Sequence, residues 1–285
     1  MTPLRAAMIR AMQVRGFSPR THRSYLAAVT DLARYHRRSP AELEVKDLCR
    51  YFEHLAIERE LSASSCRLAL NSVRFLYLDV LERPAFDVPI PVPKRPQRIP
   101  ELLSLAEVAR ILAACAFSKH QTMLTLCYGC GLRVSELVAV RVGDIDGERA
   151  RLRIEQGKGA KDRLVPLSPT LLERLREYWR AFHPKHYLFP SRAPSRPLHP
   201  TSAQKAYQQA KARAGITKIG GIHALRHAYA THQLEAGLPV HRLQRLLGHR
   251  TIHSTLRYVH WVPDYREGSG AHDLIAQLDL EPRHG

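Results

Sequence analysis

The chain has 285 residues, 45% of them hydrophobic, enough for one large or two ordinary domains that each bury a core. Its formal charge of +18, from 44 Lys/Arg against 26 Asp/Glu, points to a polyanionic partner, because basic side chains that meet phosphates release condensed counterions. No apolar run approaches the roughly 20 residues of a membrane-spanning helix, the first residues lack a signal peptide's apolar stretch, and five cysteines, an odd count, argue for reduced, packed thiols in a cytoplasmic protein rather than a disulfide framework or a zinc site.

Residues 1–85 predict a small all-helical domain. Leu4, Met8, Ile9 and Met12 fall on one helical face, and Ser18-Pro19 starts a second helix with Tyr25, Leu26, Val29, Leu32 and Ala33 on its apolar side. Ser39-Pro40 has the form of an N-cap followed by proline at the first helical position, and further periodic segments follow near Val45–Arg59 and Ser62–Leu81. Such helices with basic outer faces can clamp DNA, and an ordinary helical bundle shows the same pattern. From 86 to 103 the chain carries Pro89, Pro91, Pro93, Pro96 and Pro100, which cannot continue a helix; this is a linker. Its Lys94, Arg95 and Arg98 suit a strap along a phosphate backbone.

Residues 104–285 predict a second, mostly helical domain with a small antiparallel sheet. Ser104-Leu105-Ala106-Glu107 is a capping box, with Val108, Ile111 and Leu112 continuing the apolar face. Helices near Thr122–Cys130 and Ser135–Val140 precede two short strands, Arg151–Glu155 and Arg163–Leu167, around Gly157-Lys158-Gly159. Helices are then expected near 168–182, 201–214, 224–236, 239–247 and 252–259, with a polar loop from Pro194 to Pro200. A turn from Pro263 to Gly270 leads to a weak apolar face over Ala271–Leu280.

Singly, the candidate reactive residues say little. His223 and Arg226 share a helix face; Arg133 follows Gly129-Cys130-Gly131; Lys158 lies in a glycine turn; His249 follows Leu247-Gly248; and Tyr258 is one of 11 tyrosines. Together they meet what a tyrosine needs to transfer a phosphoryl group. Two arginine forks can grip a phosphate and neutralise its growing charge. A phenol with pKa near 10 needs a proton acceptor, and a lysine on a turn can protonate the leaving oxygen. The phosphotyrosine ester stores the bond energy for religation, so neither metal nor cofactor is called for.

The ordered boxes Gly131-Leu132-Arg133-Val134-Ser135-Glu136-Leu137, Gly157-Lys158-Gly159-Ala160-Lys161-Asp162-Arg163, His223-x-x-Arg226, Leu246-Leu247-Gly248-His249 and Tyr258 resemble the tyrosine recombinase (phage integrase) signature in order and spacing. The resemblance covers the whole chain, because that family joins an N-terminal helical, SAM-like core-binding domain to a C-terminal catalytic domain. It implies that Arg133 and Arg226 bind the scissile phosphate, Lys158 is the general acid, His223 is the base or proton relay, His249 hydrogen-bonds the phosphate and Tyr258 is the nucleophile. Glu136 is either a carboxylate orienting Arg133 or a plain surface group. Lys161 and Arg163 are expected on backbone phosphates.

Tyr265 competes with Tyr258, and Lys161 with Lys158. His223 and His227 stand at a spacing that can bind zinc, but Ala224 fills the place of the catalytic glutamate and Arg226 repels a cation. Trp179 and Trp261 read as packing residues. By resemblance the last helix packs on a neighbouring subunit; the alternative is that it folds back on its own domain. The implied partner is double-stranded DNA with inverted half-sites, bound by homodimers that pair into a tetramer and exchange strands through a Holliday junction, at the nucleoid of a bacterium. A type IB-like topoisomerase and a catalytically silent DNA-binding protein of the same fold are the competing readings. The lack of an arm-site domain before the helical domain favours Xer-like or transposon-associated relatives. The short interval from Leu167 to His223 leaves little room for the insert of integron integrases.

Overall fold

Proline placed just inside a helix start sets the first boundaries. Thr2, Ser18, Ser168 and His199 each precede a proline, and each side chain accepts a hydrogen bond from a backbone N–H of the following turn. The computed structural model describes residues 2–86, 100–155, 162–266, 268 and 273–278. It divides into two compact units, Met1–Arg98 and Ile99–Gly285. Lys94, Arg95, Arg98, Lys158 and Lys161, to which the sequence assigns DNA contact or catalysis, lie outside the described residues.

The first unit holds α1 (Pro3–Val14), α2 (Pro19–His36), α3 (Val45–Glu53) and α4 (Ala63–Arg74). Ser39-Pro40 starts only a single turn, Pro40–Glu42; α3 begins later, where Glu44 and Asp47 form a reciprocal capping box. Both α3 and α4 end in a wider i→i+5 turn, at His54–Glu58 and Phe75–Val80. Met8, Met12, Leu32, Leu48, Tyr51, Leu76 and Tyr77 fill the core, and the buried Tyr77 hydroxyl donates to the Pro40 carbonyl at 2.6 Å.

The second unit runs α5 (Leu105–Ala113), α6 (Ser118–Gly129), α7 (Val134–Ala139), β1 (Ile145–Asp146), β2 (Arg151–Ile154), β3 (Arg163–Pro166), α8 (Pro169–Phe182), α9 (Pro200–Arg213), α10 (His223–Glu235), α11 (Val240–Leu247) and α12 (His253–Val259). The sheet is antiparallel in the order β1-β2-β3, one strand more than the two that alternation predicts. β1 is two residues long, too short for alternation to reveal. Leu152 pairs with Val165 facing the core, and Ile154 pairs with Arg163. That register aims Arg163 at α11, which packs on β3.

Helix α10 is buried nearly all round, against α5, α6, α11 and α12, so it can carry polar groups into the interior. Its His232 is one of them: Nδ1 pairs with the Tyr128 hydroxyl at 2.8 Å and Nε2 with the Leu103 carbonyl at 2.9 Å. The chain just before α5 is tied down further by Lys218, whose ammonium donates to the Leu102 carbonyl and to Glu107.

All five cysteines are free thiols. Cys127 and Cys130 do stand at CxxC spacing, but both are buried and burial pushes each thiol up to about 12, so they are unreactive packing groups. Beyond α12 the described part of the terminal segment folds back on its own unit. Leu274, Ile275 and Leu278 are buried in the same core as α5 and α6, and Ile275 packs on Gly129. Of the expected helix over 271–280, the described residues form a single turn, Ala276–Leu278. No helix among the described residues is long and apolar enough to cross a membrane.

The capping box of α5 has a measurable worth. Ser104 Oγ accepts from the Glu107 N–H at 3.2 Å while Glu107 accepts from the Ser104 N–H at 2.8 Å. Ser104→Ala should cost about 1 kcal/mol, read as a lowered urea midpoint with an unchanged slope. A variant as stable as the parent would show that the rest of Glu107's bonding carries the helix start.

Candidate active site

The site begins at the end of α6. Cys130 closes that helix, and Gly131 takes φ +58° to turn the chain; a Cβ there would lie 2.5 Å from the Tyr229 ring. Only glycine fits. The turn frees the Gly131 carbonyl to face inward and places Arg133 at the start of α7. There Glu136 accepts from the Arg133 backbone N–H at 2.8 Å and from its Nη1 at 2.7 Å.

The same carboxylate binds a second arginine. Arg163 donates Nη1 to Glu136 Oε1 at 2.9 Å and Nη2 to Oε2 at 2.8 Å, and its Nε to the Leu246 carbonyl at 2.8 Å. Burial alone would push the Glu136 carboxyl up; the hydrogen bonds and charge of Arg163, then the bonds from Arg133, outweigh it and hold the group at about 2. Glu136 is therefore an internal anchor and not a surface carboxylate. Arg163, expected on a DNA backbone, is corrected: its side chain is 9% exposed and its donors are committed to protein acceptors.

Arg226 is the most enclosed cation, 1% exposed on α10. Its Nη1 donates to the Gly131 carbonyl at 2.6 Å and its Nη2 to the Leu247 carbonyl at 2.7 Å. Arg133 reaches across in the same manner, Nη2 to the Gly248 carbonyl at 3.2 Å. The two guanidinium groups thus bridge three sequence boxes. Gly248 has φ +62°, and a Cβ would stand 3.0 Å from the Arg163 side chain. Its glycine is required by both the left-handed turn ending α11 and the arginine packed on it.

That turn delivers His249, whose Nδ1 pairs with the Thr255 hydroxyl at 2.8 Å. Its ring lies parallel to that of Tyr258, centroids 6.1 Å apart. Burial first, then Arg226 and Arg133, hold the His249 imidazole at about 3, so it is neutral near pH 7. Tyr258, on α12, is 1% exposed, with Trp261 edge-on at 5.1 Å. Burial raises its phenol above the ordinary value; the charges of Arg226 and Arg257 oppose the rise. The hydroxyl also pairs with His227 Nδ1 at 2.9 Å. His223 is the solvent-open member of the group, packed edge-on against His227 at 4.4 Å. Tyr265, the rival tyrosine, instead donates to the Leu238 carbonyl at 3.2 Å.

Residues 101–263 match the phage integrase family, and residues 4–87 match the phage integrase N-terminal SAM-like domain. The chain belongs to the phage integrase family. A Sinorhizobium fredii protein carrying an integrase/recombinase name, y4qK, is 43% identical to this integrase over 260 residues, covering 91% of this chain and 84% of its own. The tyrosine recombinase XerD of Rhizobium meliloti is 30% identical over 305 residues, covering 96% of each. Among solved structures, XerA recombinase superposes with a TM-score of 0.53 at 26% identity, covering 90% of this chain and 92% of its own. A lambda integrase dimer bound to a core site superposes with a TM-score of 0.71 at 18% identity, covering 89% and 94%. The protein is a tyrosine recombinase of the two-domain integrase fold.

Of the positions read from the sequence of this integrase, the fold brings Arg133, His223, Arg226, His249, Tyr258 and Glu136 into one contiguous group. Sequence reasoning missed two of its members. His227 was weighed only as half of a metal pair, although its helical spacing from His223 already put both imidazoles on one face. Arg163 gave no signal of its pairing with Glu136, because a separation of 27 positions hides a contact made by the sheet register.

Glu136 makes the cleanest test of this scaffold. Its folded value, held below the usual carboxylate range, contributes stability that is complete above pH about 4.5 and lost as pH falls toward about 2. Glu136→Gln should remove that acid dependence and cost about 3–5 kcal/mol, because it leaves Arg163 buried without its counter-charge. Urea titrations of both proteins at pH 7 and pH 3.5 measure this; a difference between the two proteins that does not change with pH would contradict the assignment.

Proposed function

We propose that this tyrosine recombinase cleaves and rejoins double-stranded DNA at a specific site, with Tyr258 as the nucleophile. The phenol oxygen attacks the scissile phosphodiester, forming a 3′-phosphotyrosine bond and releasing the 5′ oxygen. Arg133 and Arg226 grip the phosphate, and His249 donates a hydrogen bond to it. Lys158 protonates the leaving oxygen, and His223, which the resemblance gives as base or proton relay, stands at the open edge of the group. The observation that carries the reading is the packing of the buried Tyr258 ring with those of His227 and His249, where the charge of Arg226 bears on its phenol, a set of groups suited to stabilising a phosphorane.

Residues 1–85 act as the core-binding clamp, 86–103 as a basic linker whose Lys94, Arg95 and Arg98 follow the phosphate backbone with Lys161, and 104–285 as the catalytic domain. Two copies occupy inverted half-sites; two such dimers synapse and exchange strands through a Holliday junction. The +18 charge supports the partner, and that substrate places the protein at the nucleoid, in the bacterial cytoplasm.

Randomised duplexes carrying a nick provide the assay, because the short strand released on cleavage diffuses away and leaves the protein attached. Tyr258→Phe should give no denaturant-resistant adduct while binding the selected duplex as the parent does. An adduct formed by that variant would remove Tyr258 from the role. Arg226→Ala should slow adduct formation by about 10²–10³-fold or more, the usual worth of one transition-state donor; near-normal cleavage would contradict the proposed grip.

A further inference from the structure

The placement of His227 one helical turn after His223 puts its imidazole against α12, between the rings of Tyr258 and Trp261 at 5.6 and 5.7 Å. Its Nδ1 stands 2.9 Å from the Tyr258 oxygen. The direction of that hydrogen bond follows from donor counting. The cations that bear on the phenol oxygen, Arg226 first, can accept no proton, so the imidazole is the acceptor left for its single O–H. Nδ1 is then the unprotonated nitrogen.

We propose that His227 is a catalytic residue of the cleavage step, its Nδ1 taking the proton of the Tyr258 hydroxyl as the phenol oxygen attacks phosphorus. The inference rests on Tyr258 being the nucleophile. As the O–P bond forms and the bond to the 5′ oxygen breaks, the O–H electron pair stays on the tyrosine oxygen and the proton becomes the Nδ1–H of an imidazolium. The leaving 5′ oxygen takes a different proton, from the general acid. In religation the 5′ hydroxyl attacks, and Nδ1 returns its proton to the departing phenol oxygen.

The environment fits an acceptor that works only when substrate is present. The groups facing His227 are His223 and Arg226 from α10, Arg257 and Tyr258 from α12, and Trp261 beyond it. Burial, then His223, Arg257 and Arg226, hold the imidazole at about 3 in the free protein, so it is neutral with its lone pair available. A phosphodiester brought to Arg226 and Arg133 adds negative charge that offsets those cations, and the developing phosphorane adds more. The proton affinity of His227 rises as the reaction needs it. His223, whose imidazole burial also holds down, at about 4, is the more exposed of the two and edge-on to His227, which suits contact with the phosphate better than with the buried phenol.

The test uses the full chain and the nicked duplex selected by adduct trapping. His227→Ala should bind the duplex normally and form adduct about 10²–10³-fold more slowly, the usual worth of a positioned base. Its rate should climb with pH as solvent-generated phenolate replaces base catalysis, and added imidazole should restore part of the loss. His227→Asn, which keeps an acceptor close to the Nδ1 position but cannot take a proton, should be as slow as the alanine variant. A His227→Ala rate within about threefold of the parent, a loss that neither imidazole nor raised pH relieves, or an asparagine variant as fast as the parent would each overturn the assignment. Tyr258→Phe on the same duplex separates the two failures. Adduct surviving in that variant sinks the nucleophile itself, whereas adduct lost there yet normal in the His227 variants sinks only the proton acceptor.

Discussion

The Arg226 guanidinium, sealed inside the catalytic unit and bonded to two main-chain carbonyls, is the constraint around which the site is arranged. A buried arginine is costly unless its donors are met and its charge is used. Here the carbonyls of Gly131 and Leu247 take two donors, and the charge bears on the Tyr258 phenol. Those carbonyls come from the ends of α6 and α11, so the guanidinium also fixes the distance between the segments that present Arg133 and His249. Preorganisation and fold stability are one interaction.

Around Arg226 lies a shell whose task is to hold cations apart. Arg133 and Arg163 share Glu136, and the carboxylate is kept ionised against its own burial by the bonds it accepts. Arg163 is thereby consumed by the scaffold, while the fork of Arg133 is steadied by Glu136 and the Gly248 carbonyl. The two left-handed glycines complete the arrangement. At Gly131 and Gly248 the chain must turn with a carbonyl facing a guanidinium, and at each a methyl group would strike a neighbouring side chain. The neutral imidazoles follow from burial first and then from the same crowding, with two arginines acting on His227 and four on His249. Negative charge brought among these cations would raise the proton affinity of the imidazoles beside them.

The terminal segment shows how the fold keeps Tyr258 in place. Trp261 closes over Tyr258, the Tyr265 hydroxyl ties the next turn to Leu238, and Leu274, Ile275 and Leu278 anchor the described residues beyond it in the core. Tyr258 is thus held from both sides along the chain, and its hydroxyl from the side of α10.

Much was readable in the residues themselves. Capping signals, proline positions and apolar periodicity located most helices to within a few residues, because those signals are local and act over one or two turns. The ordered boxes named the chemistry, since phosphoryl transfer by a tyrosine needs a set of groups that few other functions would assemble. What the residues could not express were contacts set by packing between distant segments. That Glu136 serves Arg163 depends on the register of β2 against β3 and the seat of α11 on the sheet. That the phenol meets His227 depends on the angle at which α12 crosses α10. Spacing along one helix places two histidines on the same face; only the neighbouring helix decides which of them touches the Tyr258 hydroxyl.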